Sequence, residues 1–425
     1  MQPSPLATLT ESIVTIPFPG LRESTPVQLG LIGVGGFGQT HLRYISQFEE
    51  GDKVHLLAVA DPASASLAEA KASLEAKGVH WYGDYRQMFT AEPSLEAVQI
   101  STPIPFHEEM VRDALARGYH VNLEKPPVVL IQQLESLIAL DHQQRVAVGF
   151  QHIDSIQIQT LKQWIMAGRL GTVTDIRIGA SWPRRDDYYR RAPWAGKMMF
   201  QGRPVFDGPA TNAMAHLLHN AMYLAGTDHD HFAAPFRMQG EFYRARPMES
   251  YDTACLRGWF PGGATFIAAM THATEELQPY RIEVRGTRDW ARISDDGQTL
   301  ETSSGIHSFP PEETDAFVRA HGTFLSFVRR GSRPRTRLID ARGFVLALNG
   351  ALVSSERIHS IDDAFVRRYR RENEFGYDII GLNALIDRSF REGLLFSEMD
   401  APWARASKPV AIDLHHQLKL EDYRS

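Results

Sequence analysis

The sequence predicts an α/β chain in two parts: a parallel sheet wrapped by crossover helices, then an α+β region with a large, mostly antiparallel open sheet. Three observations carry this expectation. Over residues 27–150 apolar runs alternate with helix-spaced stretches, the strand–helix grammar of a parallel sheet. Beyond Gln151 long strand candidates follow one another, at 173–182, 236–244, 252–260, 264–273 and 280–293. At 425 residues the chain is too long for one ordinary core. The expected division is an arm at 1–26, a first domain at 27–150, a second at 151–400, and a tail at 401–425.

The first part opens on an apolar strand at 27–32 that runs into Gly33, Gly35, Gly36, Phe37 and Gly38, followed by helical spacing at His41, Leu42, Ile45 and Phe48. Strand, glycine turn and helix in that order describe a dinucleotide cradle. The first glycine allows the tight turn, the second lets backbone N–H groups approach a pyrophosphate, and the third lets helix and strand pack closely. A second strand at 55–60 ends in Asp61, 23 residues past Gly38, where a carboxylate can accept hydrogen bonds from a ribose. That charge would repel a 2'-phosphate, which favours NAD over NADP. The alternative is a turn aspartate before Pro62.

A helix at 63–77, a strand at 80–82 and a helix at 85–89 follow. The strand at 97–100 leads into Ser101, Thr102 and Pro103, with a helix starting near His107. Ligands of open parallel sheets sit beyond the carboxyl ends of the strands, so Thr102, Pro103 and His107 fall where a cofactor would lie, although His107 also reads as a plain helix-start residue. The strand at 119–123 delivers Glu124, Lys125, Pro126 and Pro127 to the same edge. A helix at 130–144 and a strand at 145–150 complete the unit.

In the second part a helix at 156–167 precedes the strands. Pro261-Gly262-Gly263 signals a hairpin, and the alternation from Arg281 to Arg285 fits a sheet with one solvated face. Helices are expected at 210–225, 316–330, 341–355 and 381–391, and an extended tail at 401–414.

Composition narrows the function classes. Hydrophobic content of 43% and charged content of 23% describe an ordinary globular protein, and a net charge of -6 gives no reason to expect nucleic-acid or membrane partners. The single cysteine, Cys255, excludes an intrachain disulfide and a cysteine-rich metal site and reads as a reduced core thiol. No apolar run reaches about 18 residues, the length of a spanning helix. The arm carries one short apolar patch at 13–18 and does not read as a secretory signal, so a cytoplasmic setting is expected.

Two spots could carry chemistry. Lys125 projects from a strand end before a double proline; desolvation there would lower its pKa and ready it for proton transfer. A solvated surface lysine is the alternative. The second spot runs from Asp207 to Asn220. On one continuous helix Asn212 and His216 would share a face at i and i+4, with His216 able to act as acid or base. No metal is expected, because no acidic third ligand lies on that helix. His219 reads as a core histidine. The loop at 182–197, with Tyr188, Trp194 and Lys197, fits either a substrate loop with an aromatic platform or a charged surface loop.

Taken together, the glycine turn, Asp61, Ser101-Thr102-Pro103 with His107, Glu124-Lys125-Pro126 and the Asn212–His216 segment resemble the Gfo/Idh/MocA family, similar to glucose-fructose oxidoreductase and inositol dehydrogenase. The resemblance covers roughly residues 27–398. It implies a Rossmann domain, an α+β domain whose sheet mediates homodimers or homotetramers, and NAD(P)-dependent hydride exchange with a carbinol carbon of a sugar or cyclitol. It also implies Lys125 at the reacting hydroxyl and His216 as acid/base. The chain departs from the family pattern at Asn212, where members place an aspartate, and at His219, where a second is common. An amide cannot take a proton, so either His216 and Lys125 act alone or Asp207, Asp186 or Asp187 substitutes. Two other readings stay open: a non-catalytic NAD- or sugar-sensing regulator, and a glycosidase using NAD for transient oxidation.

Overall fold

The computed structural model describes residues 25–310, 315–415 and 417–423; the apolar patch expected at 13–18 lies outside them. The first sheet is parallel throughout, with strands β1 (Val27–Ile32), β2 (Val54–Ala60), β3 (His80–Tyr82), β4 (Ala97–Ile100), β5 (His120–Glu124) and β6 (Val146–Gly149) in the spatial order 3-2-1-4-5-6. Strand order reverses between β1 and β4, so the crevice beyond their carboxyl ends collects the glycine turn, Ser101 and Lys125.

Helices α1 (Gly38–Glu50), α2 (Ala68–Glu75), α3 (Tyr85–Ala91), α4 (His107–Ala116) and α5 (Ile131–Leu140) connect these strands. Two are shorter than the sequence suggests. Residues 63–67 form turns after Asp61 Oδ1 accepts the Ala63 N–H at 2.8 Å. The expected helix at 130–144 stops at Leu140, because the Asp141 carboxylate accepts the N–H groups of Arg145 and Val146.

After α6 (Ile156–Met166) comes the second sheet, begun by β7 (Val173–Ser181). Helix α7 (Asp186–Arg190), a ribbon of β8 (Met199–Phe200) and β9 (Arg203–Pro204), and α8 (Ala215–Leu224) intervene before β10 (Arg237–Arg244), β11 (Thr253–Trp259) and β12 (Thr265–Thr271). The strand expected at 280–293 is two, β13 (Gln278–Gly286) and β14 (Trp290–Ser294), closed by a turn in which Gly286 N–H donates to Asp289 O. Strands β15 (Thr299–Thr302) and β16 (Gly305–Ser308) extend that edge; β17 (His359–Ser360) and β20 (Val410–Ala411) pair with β10 at the other. The sheet is mixed and mostly antiparallel, β7 with β12 and β10 with β17 being parallel neighbours.

Ile282 and Val284 of β13 point into the core, as the alternation predicts. The other face is not solvated. Helix α11 (Leu382–Glu392) lies across it: Arg281 bonds Asp387 at 2.6 Å, Arg292 stacks over Phe390, and Glu283 is 2% exposed between Arg285 and Arg292. Phe396 and Trp403 continue this cover over Tyr243 and Cys255. The chain's own C-terminal segment thus covers part of this sheet face. A separate hairpin, β18 (Val366–Arg371) and β19 (Glu374–Ile379), reaches the segment around α7 through Arg185–Glu372 and Arg190–Glu374 ion pairs.

Helix α10 (Arg342–Ser355) packs on β10 and α5. Helix α9 (Ala316–Arg330), expected within the second domain, serves the first sheet: Phe324, Leu325 and Phe327 join Val27, Leu29 and Ile45 in one buried cluster. Cys255 is a buried free thiol, as expected, with burial holding its pKa well above the ordinary range.

Candidate active site

The glycine turn is built as its spacing requires. A Cβ on Gly38 would sit 2.1 Å from Gly33 O, and one on Gly33, at φ +88°, would sit 2.7 Å from Ser101 O. These two glycines are demanded by packing. A Cβ on Gly35 would meet only Leu67 at 3.8 Å, and Gly36 has nothing within 4 Å, so the protein leaves that side of the turn open. Among the described residues the N–H groups of Gly36 and Phe37 donate to no protein acceptor, and α1 carries no acid in its first turn. That is the donor set and dipole end a pyrophosphate needs. The Phe37 ring turns away, against His41 and Phe317.

Asp61 is 8% exposed. Its Oδ2 accepts the N–H groups of Val34 (2.8 Å) and Gly35 (3.2 Å), so the carboxylate also braces the turn. With Ala63 on Oδ1, three of about four acceptor directions are used, and one is left for a ribose hydroxyl.

Two expected cofactor contacts face elsewhere. His107 is fully buried, with Nδ1 2.9 Å from Pro126 O and Nε2 2.8 Å from Thr102 O. It ties the turns holding Thr102, Pro103 and Lys125 together, because helix α4 begins beneath both. Glu124 is likewise turned inward: Oε1 lies 2.9 Å from His41 Nε2, and Oε2 accepts the Lys125 N–H. His41 in turn meets His321 of α9 at 3.1 Å. Burial raises the Glu124 pKa, but the His41 bond and the nearby Lys125 outweigh it and hold the carboxyl below its ordinary range.

Lys125, before a cis bond to Pro126, is partly buried at the crevice. Its Nζ donates to Asn212 O at 2.9 Å and to Asn212 Oδ1 at 3.1 Å. Burial lowers its pKa; Glu124 and Asp207 oppose that, and Arg191 adds to it.

The helix expected at 210–225 is not continuous. Residues Pro209–Ala213 form a π-helical turn, Met214 breaks the path at φ -113°, and α8 starts at Ala215. Asn212 and His216 therefore lack the simple i, i+4 relation. Asn212 turns to Lys125 and, through Nδ2, to Asp207 Oδ1 at 2.9 Å. His216 stacks on His152, with ring centroids 4.2 Å apart and 16° between planes. Burial drives the His216 pKa well below its usual value and brings His152 down to about 4, so both imidazoles are neutral near pH 7. His219 lies flat on Phe150 at 3.8 Å, with burial lowering its pKa to about 3, in keeping with a core residue.

In the segment 182–197, the Arg191 guanidinium lies 3.6 Å over the Tyr188 ring and 4.9 Å from that of Trp194, next to the same Lys125–Asp207 pair. Lys197 does not join them. It lines a cleft of about 1330 Å³ with Tyr189, Arg246, Arg368 and Tyr377. Among the described residues no cluster of histidine, cysteine or acidic side chains could hold a metal ion. No helix there is long and apolar enough to cross a membrane. His152 escaped the sequence reading, although it sits just beyond the carboxyl end of β6, where site residues of such sheets gather.

Comparison with known proteins agrees with this layout. Residues 27–152 match the model of an oxidoreductase family with an NAD-binding Rossmann fold, and residues 158–292 match the GFO/IDH/MocA C-terminal domain, together more than half of the chain. The N-terminal unit is thus an NAD-binding Rossmann domain. An inositol 2-dehydrogenase of Pseudomonas fluorescens is 32% identical over 167 residues, 39% of this chain and 48% of that protein. The match thus spans about half the length of that relative. The WlbA dehydrogenase of Bordetella pertussis, solved with NADH and UDP-GlcNAcA, superposes with a TM-score of 0.66 at 20% identity, covering 78% of this chain and 96% of the other. The myo-inositol 2-dehydrogenase of Lactobacillus plantarum does so at 0.61 and 21% identity, covering 78% and 97%. At these identities the structures establish the shared fold.

Proposed function

The chain belongs to the Gfo/Idh/MocA family of NAD-binding oxidoreductases, and on that premise we propose that it exchanges hydride between NAD and a carbinol or carbonyl carbon of a sugar or cyclitol. The observation that carries this reading is the partly buried Lys125 Nζ at the crevice, bonded to both acceptors of Asn212 beside neutral His152 and His216. Bound NAD supplies the site with a hydride acceptor or donor.

The protein's own groups supply the rest. The Gly36 and Phe37 N–H groups at the start of α1 would hold the pyrophosphate, and the remaining acceptor direction of Asp61 a ribose hydroxyl. The negative charge of Asp61 disfavours a 2'-phosphate, so NAD is proposed over NADP. Thr102 and Pro103 would border the cofactor, with His107 and Glu124 behind them.

As an uncharged amine, Lys125 has two hydrogens and one lone pair. The two Asn212 acceptors take the hydrogens, and the lone pair is left to accept the proton of a substrate hydroxyl. In the reverse direction the third N–H of the ammonium donates to a carbonyl oxygen. His216 stays neutral and assists at the same hydroxyl. Arg191, held on the Tyr188 and Trp194 rings, and Asn212 would offer polar groups to the hydroxyls of a sugar ring. Lys197, in its separate cleft, reaches only a longer substrate. A cytoplasmic setting fits the single buried thiol.

NADH absorbance with a panel of cyclitols, sugars and ketosugars tests the proposal. NADH formation with a polyol, slowed by about 10²–10⁴-fold in Lys125→Met, is the expected outcome. Intact NAD binding with no turnover on any of them would point to a sensing protein instead.

A further inference from the structure

The family resemblance leads to a carboxylate at position 212, and this chain has an amide there. A carboxylate nevertheless reaches the lysine by another route. Asp207 is 2% exposed. Its Oδ1 accepts from Asn212 Nδ2 at 2.9 Å, and its Oδ2 accepts the Gly196 N–H at 2.7 Å and lies 3.6 Å from Arg191. The residue before it, the buried Phe206, takes φ +46°, a left-handed conformation that bulky side chains avoid. The other two acids are spent or remote: Asp186 pairs with Arg246, and Asp187 is exposed.

An asparagine alone cannot fix the lysine. Its amide presents oxygen or nitrogen with nearly the same shape, and a flip would turn two donors toward Lys125 Nζ. Asp207 removes that freedom, because only Nδ2 can donate to it, which leaves Oδ1 facing Lys125. We propose that Asp207 is the positioning residue of the site: acting through the Asn212 amide, it fixes the direction of the proton-transferring corner of Lys125 and supplies the negative charge that favours the ammonium form. Glu124 cannot do the same alone, since its oxygens are taken by His41 and the Lys125 N–H. The charged and titratable groups facing Lys125 are Glu124 and Asp207, Arg191, and the rings of His152 and His216. Asp207 is thus one of two carboxylates there. This inference rests on the reading of Lys125 as the proton-handling group.

The test does not depend on turnover. Acetylation of Lys125 by acetic anhydride in the full chain, followed by mass spectrometry across a pH series, reads the midpoint at which the amine loses its proton. In Asp207→Asn the midpoint should fall by about one pH unit, the lower end for loss of a nearby opposite charge. In the exchanged variant, Asp207→Asn with Asn212→Asp, it should return to the wild-type value or exceed it. Equal midpoints in wild type and Asp207→Asn overturn the proposal, as does an exchanged variant that stays at the lowered value. If Asp207→Asn fails to fold, the exchanged variant, which keeps one carboxylate and one amide in the pair, decides alone: a midpoint below wild type overturns the proposal, and one at or above it supports it. If no polyol yields NADH, the catalytic reading fails while the midpoints still decide the role of Asp207.

Discussion

Lys125 and Asn212, 87 residues apart in the chain, are joined twice: the lysine Nζ donates both to the asparagine backbone oxygen and to its side-chain Oδ1. One of these bonds survives any substitution at 212 and the other does not. Asn212→Ala should therefore reduce kcat/KM by roughly 10-fold, since about 1.4 kcal/mol, the upper end for one ordinary hydrogen bond, is tenfold in rate. Lys125→Met should cost about 10²–10⁴-fold, the usual range for a general acid/base. NAD titration should show little change in either variant. A large loss of NAD affinity in Lys125→Met would assign the lysine to cofactor binding instead.

The glycines of the turn should separate by what they serve. Gly38→Ala places a Cβ against Gly33 O and should lower the melting temperature sharply. Gly35→Ala meets no protein atom closer than 3.8 Å, so stability should hold while NAD affinity falls. Thermal denaturation and fluorescence titration with NADH read the two effects. Equal NAD affinity in Gly35→Ala and wild type would place the cofactor elsewhere.

His107 should matter to stability before chemistry. Its ring lies between the carbonyls of Thr102 and Pro126, and the one N–H of the neutral imidazole donates to one of them. His107→Leu would leave the carbonyl it donates to without that donor, at a cost of about 1–3 kcal/mol in urea denaturation, in the range for one lost buried partner. An unchanged unfolding midpoint would show that these bonds carry no net stability.

Glu241 should make a contribution to stability that falls as pH rises from about 4.5 to 7, opposite in sign to that of the buried neutral histidines. Burial lifts the Glu241 carboxyl to about 7 against the ordering bonds from Ser397 and Tyr243. Between those values the unfolded chain has lost a proton that the folded chain still holds, so unfolding gains with each increment of pH, by roughly 3 kcal/mol in all. Asp252, raised by burial to about 6, adds in the same direction. Relative to wild type, Glu241→Gln should therefore gain stability at pH 8 against pH 5, read as urea midpoints at the two values. An unchanged slope would show that the carboxyl ionises freely in the folded protein.

Much of the first domain was legible because parallel strands buried on both faces read as apolar runs and the glycine turn has a fixed steric logic. Misplaced boundaries share one cause. At Ala63, Arg145 and Gly286 the chain turns because a carboxylate or a carbonyl captures a backbone N–H, and helical periodicity does not register such a capture. The helix at 210–225 failed for a related reason: the π-helical turn at Pro209–Ala213 shifts Asn212 relative to His216, and residue spacing assumes 3.6 residues per turn.

The sequence by itself determined the parallel nucleotide-binding sheet, the residues at its carboxyl edge and the departure at Asn212, since all three depend on local pattern and residue identity. Only the tertiary structure decided which neighbours those residues face. It turned His107 and Glu124 inward, laid α11 over a sheet face that alternation alone would leave to solvent, and brought His152 onto His216. It also put the buried Asp207 carboxylate behind the asparagine. These contacts join residues that are distant in the chain or separated by an irregular turn, and their energies come from burial and hydrogen-bond geometry that no spacing along the chain encodes.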